Sequence, residues 1–186
     1  MTHSAASPDP LVWGHGKKVL EVFLEPTCPF SGRAFAKFDE LMQQAGEDRL
    51  TLKIRLQSQP WHMFSPLVTR AIIAASSLPA GKEAAKVVMT AVFKNREDFI
   101  LENHASGPNL EQSPRSLLSK IEALSGIELT DAFEQQELQL AVKWHARYAR
   151  QNGIHVTPTF MVDGLVANDM GSGDEVSAWL EKLGLS

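Results

Sequence analysis

Between Ser65 and Asn152 this chain carries helical patterns and no good strand, while both of its ends read as strands. Any sheet must therefore be assembled from two distant segments, with a helical block between them. Val19-Leu20-Glu21-Val22-Phe23-Leu24 is apolar and β-branched, and Pro26 ends it, so it reads as a buried strand. From Pro29 the period becomes helical, with Ala34, Phe35, Phe38, Leu41 and Met42 on one face and Gly46 as the stop. Leu50 to Leu56 alternates strictly, which predicts a second strand with a half-solvated face. Strand, helix and strand in this order fit a parallel crossover.

The middle predicts helices from Ser65 to about Ser77, from Lys82 to Lys94, and from Ser113 to about Leu124, with Ser113 as N-cap and Pro114 at the first position. One long helix is expected from Thr130 to Gln151, with Phe133, Leu140, Ala141, Trp144 and Tyr148 as its stripe. Strands return at Thr159–Val162, where Asp163-Gly164 signals a hairpin into Leu165-Val166. Ser172 to Glu175 reads as a capping box for a last helix that buries Val176, Trp179, Leu180 and Leu183. The division is a loose tail over residues 1–10, a core from 11–62 and 153–186, and an inserted helical domain over 63–152. A length of 186 residues suits one domain with such an insertion.

The chain has one cysteine, so no intrachain disulfide and no Cys-rich metal site can form. Its six histidines show no ligand spacing, and no metal is expected. Eighteen basic against 22 acidic residues leave a net charge of −4, which argues against nucleic acid and anionic membranes as partners. No apolar run approaches the ~20 residues that span a bilayer. The first residues lack the basic and apolar regions of an export signal, so a cytoplasmic location is expected.

Cys28-Pro29-Phe30-Ser31 lies just after an apolar strand and just before a helix. A thiol there faces unpaired backbone N–H groups and the positive end of the helix dipole, both of which favour a thiolate. A thiolate is the nucleophile for disulfides. Ser31, one turn on, can donate a hydrogen bond to the sulfur but cannot attack a mixed disulfide. The bland alternative is a small buried hydrophobe, the commoner role of a lone cysteine. Val156-Thr157-Pro158-Thr159 stands at the entrance of a strand, where a cis proline would free the Thr157 backbone to pair with an extended peptide. Trp61-His62 follows the second strand, and His62 is a candidate neighbour of the site.

Taken in order, strand, Cys-Pro-Phe-Ser, helix, strand, helical insert, Val-Thr-Pro-Thr-Phe, hairpin and helix resemble the DsbA-like branch of the thioredoxin superfamily over residues 15–185. The resemblance implies an α/β thioredoxin-like fold with an all-helical domain inserted after the second core strand. It implies thiol–disulfide chemistry with Cys28 as the attacking thiol and Ser31 beside it. Pro29, Phe30, Thr157 and the cis residue Pro158 would form the substrate surface. It also implies a buried acid on the strand before the motif, a proton relay for which Glu21 is the candidate. Ser31 replaces the second cysteine of the usual Cys-x-x-Cys, so a dithiol cycle is impossible in this chain alone. No tightly bound cofactor is implied; glutathione would serve as co-substrate. The expected partners are disulfide-containing or glutathionylated proteins or small thiols, and homodimers occur in the family. Two other readings stay open: a glutathione-dependent transferase or isomerase of the kappa type, and a non-catalytic peptide-binding module.

Overall fold

A computed structural model describes residues 9–186, so most of the expected tail lies outside the described residues. The five-stranded sheet has the order β1-β3-β2-β4-β5. Its centre is β2 (Lys18–Leu24), parallel to β3 (Leu50–Leu56) and antiparallel to β4 (Thr159–Val162). The short β5 (Leu165–Val166) closes the hairpin, where Asp163 and Gly164 both take positive φ, as a tight turn of this kind requires. The carboxylate of Asp163 accepts the Val19 N–H and pairs with Lys18, which ties the turn to β2. A strand the pattern did not suggest, β1 (Val12–Trp13), pairs antiparallel with β3. Just before it, Asp9 binds Lys53 and Arg55, so the last part of the expected tail is held to the sheet.

The helices are α1 (Pro29–Phe35), α2 (Phe38–Ala45), α3 (Ser65–Ser76), α4 (Lys82–Lys94), α5 (Pro114–Ser125), α6 (Thr130–Phe133), α7 (Leu138–Gln151) and α8 (Val176–Leu183). Two expected helices are each broken in two. At Lys37 the N–H bonds to the Ala34 carbonyl, a three-residue closure, while its ammonium reaches the carbonyls of Ser172 and Asp174. Between α6 and α7, Arg70 of α3 takes the carbonyls of Phe133 and Gln135 and the side chain of Gln139. Arg70 thereby satisfies carbonyls that the end of α6 leaves without helical partners. Leu140, expected in the buried stripe, is 72% exposed; Ala141 is buried as expected, and Leu138, His145 and Ala149 are buried with it. The expected capping box at Ser172 does not form: Glu175 is the N-cap without a side-chain bond, and Asp174 accepts from Gly171. Ser113 does cap α5, in a reciprocal pair with Ser116.

Both faces of the central strands are covered. Leu20, Val22 and Leu24 lie beside Leu52, Ile54 and Leu56 and share one core with Phe38, Leu41, Trp179 and Leu183. On the other face Phe23 and Met161 pack against Ala149, Ile154 and Tyr148. The half-solvated face expected for β3 is therefore buried. Arg55 there is 3% exposed, lies over the rings of Trp144 and Tyr148, and pairs with Glu21 at 2.6 Å and with Asp9.

His145 sits beside this network. Its Nδ1 accepts the Leu56 N–H at 3.1 Å, which puts the ring proton on Nε2, an atom without a hydrogen-bond partner among the described residues. Burial, helped by the charge of Arg55, lowers its pKa from 6.5 to about 4. The unfolded chain therefore takes up this proton first as pH falls. The stability it contributes is complete above about pH 6.5 and is lost toward pH 4, a swing of roughly 3 kcal/mol. Urea unfolding at pH 7 and pH 4.5 should show a smaller pH difference in His145→Asn than in the wild type. An equal difference in both would remove His145 from the pH response.

Candidate active site

The start of β4 lies opposite the end of β2, with Thr159 facing Phe23. The loop entering β4 is thereby brought against the turn leaving β2. Cys28 ends that turn as the N-cap of α1, in extended conformation, with Pro29 at the first helical position where no N–H is needed. Its N–H bonds to the Glu25 carbonyl and its carbonyl accepts from Gly32. The sulfur is 8% exposed as a residue and donates to the Thr157 carbonyl at 3.7 Å. The Thr157–Pro158 peptide is cis. The structure thus brings together Cys28, Thr157 and Pro158 from segments 129 positions apart.

Ser31 is fully buried and turned away from the role its spacing suggested. Its hydroxyl accepts the Glu25 N–H at 3.1 Å and makes no hydrogen bond to the sulfur among the described residues. It holds the strand end to the helix. Pro29 and Phe30 are exposed beside Cys28, and Arg33 lies over the Phe30 ring. Glu21 is placed elsewhere. Its carboxylate lies on the α7 face of the sheet, bound by Arg55 and by the Tyr148 hydroxyl at 2.9 Å. The relay expected of it does not fit that position.

The acid at the turn is Glu25, which the sequence reading passed over. It is completely buried and accepts from the Thr27 N–H and hydroxyl. The Thr27 hydroxyl is also 2.9 Å from Nδ1 of His62, so His62 is one hydrogen bond from the residue preceding Cys28. Burial raises the pKa of Glu25, against the hydrogen bonds and the charge of Arg96. Burial also lowers that of His62, aided by His104 and Arg96. Both shifts work against the charged forms that an ion pair across the 3.4 Å approach of His62 to Glu25 would need. The Ser65 hydroxyl faces the same carboxyl without completing a hydrogen bond of its own. Arg96, from the turn after α4, donates to the Thr27 carbonyl. An acid three residues before the cysteine was the available signal for Glu25; nothing in the local pattern pointed to Arg96.

Thr27→Val keeps the shape and removes the hydroxyl that Glu25 and His62 share. The expected cost is about 1–3 kcal/mol, because two buried polar groups lose a partner. A change below measurement error in urea unfolding would show that the two groups satisfy each other directly.

Four large apolar side chains next in sequence to Pro29, His62 and Thr157 are more than half exposed: Phe30, Trp61, Met63 and Val156. No group of three or more potential metal ligands lies together, and no helix is long and apolar enough to cross a membrane, among the described residues.

Residues 8–182 match the family model for thioredoxin. A crystal structure of a proposed protein-disulfide isomerase from Pseudomonas syringae is 59% identical, with a TM-score of 0.94 over 95% of this chain and 98% of the other. A thioredoxin-like oxidoreductase from Silicibacter pomeroyi is 20% identical, with a TM-score of 0.69 over 95% and 91%. Pseudomonas aeruginosa DsbA2 is 16% identical, with a TM-score of 0.65 over 96% and 94%; both of these likenesses speak to fold alone. No curated protein matches the chain in sequence. A match spanning nearly every described residue, a helical insert within the sheet order, and a cysteine facing a cis proline agree with one another: the chain belongs to the thioredoxin family.

Proposed function

We propose that this chain is a thiol–disulfide oxidoreductase or isomerase that works with one thiol. The observation that carries the reading is the 3.7 Å approach of the Cys28 sulfur to the carbonyl of Thr157 in the cis Thr157–Pro158 loop. An extended substrate segment lies along the Thr157 backbone, over the apolar surface of Phe30, Trp61 and Val156. The Cys28 thiolate attacks one sulfur of the substrate disulfide. A mixed disulfide forms and the other sulfur leaves as a thiolate that takes a proton from water. The buried Ser31 cannot resolve this intermediate, so an external thiol must. With a glutathionylated protein as substrate, Cys28 takes the glutathione sulfur and releases the protein thiol. A second glutathione thiolate then attacks that adduct, giving oxidised glutathione and free Cys28. Isomerisation differs only in that a second thiol of the substrate performs the release.

The test is turnover of a glutathionylated protein by the full chain with glutathione as the sole reductant. The rate should rise with glutathione and the Cys28 adduct should be seen only transiently by mass spectrometry. Stoichiometric accumulation of that adduct without turnover would overturn the reading.

A further inference from the structure

The seam between α1–α2 and α4 holds a cavity of about 860 Å³ that begins at Pro29 and Arg96 beside the active-site turn and that Cys28 itself does not line. Protein interiors contain few voids larger than a water molecule, whereas this volume falls in the range of small-molecule sites. Its two walls run antiparallel, as two cross-contacts show, Gly32 against Phe93 and Asp39 paired with Lys86, while Trp13 of β1 bonds to Glu83 at the far end. Glu83 and Phe93 are ten positions apart on α4, so the seam runs for about 15 Å at the rise of a helix. Phe35, Phe38, Met42 and Phe93 line it with apolar surface.

The charges along it are ordered. At the end nearest the active-site turn stand Lys94, which has no ion-pair or hydrogen-bond partner among the described residues, and Arg96. Arg96 uses Nε on the Thr27 carbonyl and one terminal nitrogen on the exposed Glu97, leaving the other terminal nitrogen without a hydrogen-bond partner among the described residues. In the middle Asp39 is neutralised by Lys86. At the far end stand Glu83 and Glu47. We propose that this seam is a binding site for a free small amphipathic carboxylate, its anionic head at Lys94 and Arg96 and its apolar tail running over Phe93 and Phe35 toward Met42. The acids at the far end disfavour the reversed orientation and disfavour a second negative charge there. The site is independent of the thiol chemistry proposed above.

The probe is dodecanoate, kept below its micelle concentration, titrated into the full chain by calorimetry and followed by methionine-methyl NMR. One molecule should bind, the Met42 methyl signal should shift, and that of Met63, exposed beside His62, should not. Lys94→Glu, at an exposed and unpaired position, should weaken binding at least tenfold, whereas Cys28→Ser should leave it unchanged. Dodecyltrimethylammonium, with the same tail and a cationic head, should bind at least tenfold more weakly than dodecanoate. Absence of binding, equal affinity of Lys94→Glu, equal affinity for the two heads, or a shift at Met63 in place of Met42 would each overturn the proposal. Loss of binding in Cys28→Ser would also overturn it, by moving the ligand to the thiol.

Discussion

Cys28→Ser should reduce glutathione-dependent turnover of a glutathionylated protein to the uncatalysed rate. It should leave the unfolding midpoint within about 2 °C, because serine nearly matches the thiol in volume and the thiol makes one hydrogen bond, at 3.7 Å, among the described residues. The effect on rate is expected to be complete rather than partial. The chain has no second cysteine to take over, and a hydroxyl in place of the sulfur forms no mixed disulfide. The same variant separates the competing readings. If it still turned over an electrophile with glutathione, the sulfur of glutathione would be the reagent and the chain would act as a transferase or isomerase. If it bound peptides as the wild type does, and the wild type had no turnover, the groove would serve binding alone.

Arg55→Met should lower stability by about 3–5 kcal/mol and the melting midpoint by about 10 °C or more. Arg55 is the only cation bonded to the buried Glu21 carboxylate among the described residues, and it stacks on two rings besides. Removing it leaves a carboxylate in the interior with a single tyrosine hydroxyl as donor. The double variant Glu21→Leu with Arg55→Met should recover most of the loss, since an apolar pair of similar volume replaces a buried ion pair at little cost. A loss below about 1 kcal/mol in the single variant would mean that water reaches Glu21 once the arginine is gone.

The strands were legible because their signals are local. Val19–Leu24, Leu50–Leu56 and the Asp163-Gly164 turn each specify their conformation through their own residues, and the structure forms all three. The breaks in the helices were not legible, because a distant arginine, Arg70, makes one of them and Lys37 marks the other through contacts more than a hundred residues away. Alternation in β3 was read correctly as two faces, but the second face was assigned to water. Arg55 is buried there only because α7 brings Trp144 and Tyr148 over it and β2 offers Glu21. For the site, the spacing of motifs brought out Cys28, Thr157 and Pro158. It singled out Glu21 and not Glu25 at the turn, since an acid in mid-strand looks buried in sequence while one at a strand end looks exposed. Glu25 is buried because Ser31, Thr27 and His62 close around it. Ser31 was read by its distance to the sulfur, and its backbone partner could be found only from the folded turn.

The central strand has an unequal history on its two edges. β3 follows β2 after a short crossover and can cover one edge as soon as it leaves the ribosome. β4 comes only after the whole helical insert has been made. Until Thr159–Val162 arrives, the other edge of β2 offers its free N–H and C=O groups, with Phe23 apolar beside them. The insert is therefore also a delay built into synthesis, and the ladder between β2 and β4 is a late contact of high sequence separation. The same late contact carries the Thr157–Pro158 loop to Cys28, so the thiol meets its facing loop only when the last open edge of the central strand is closed.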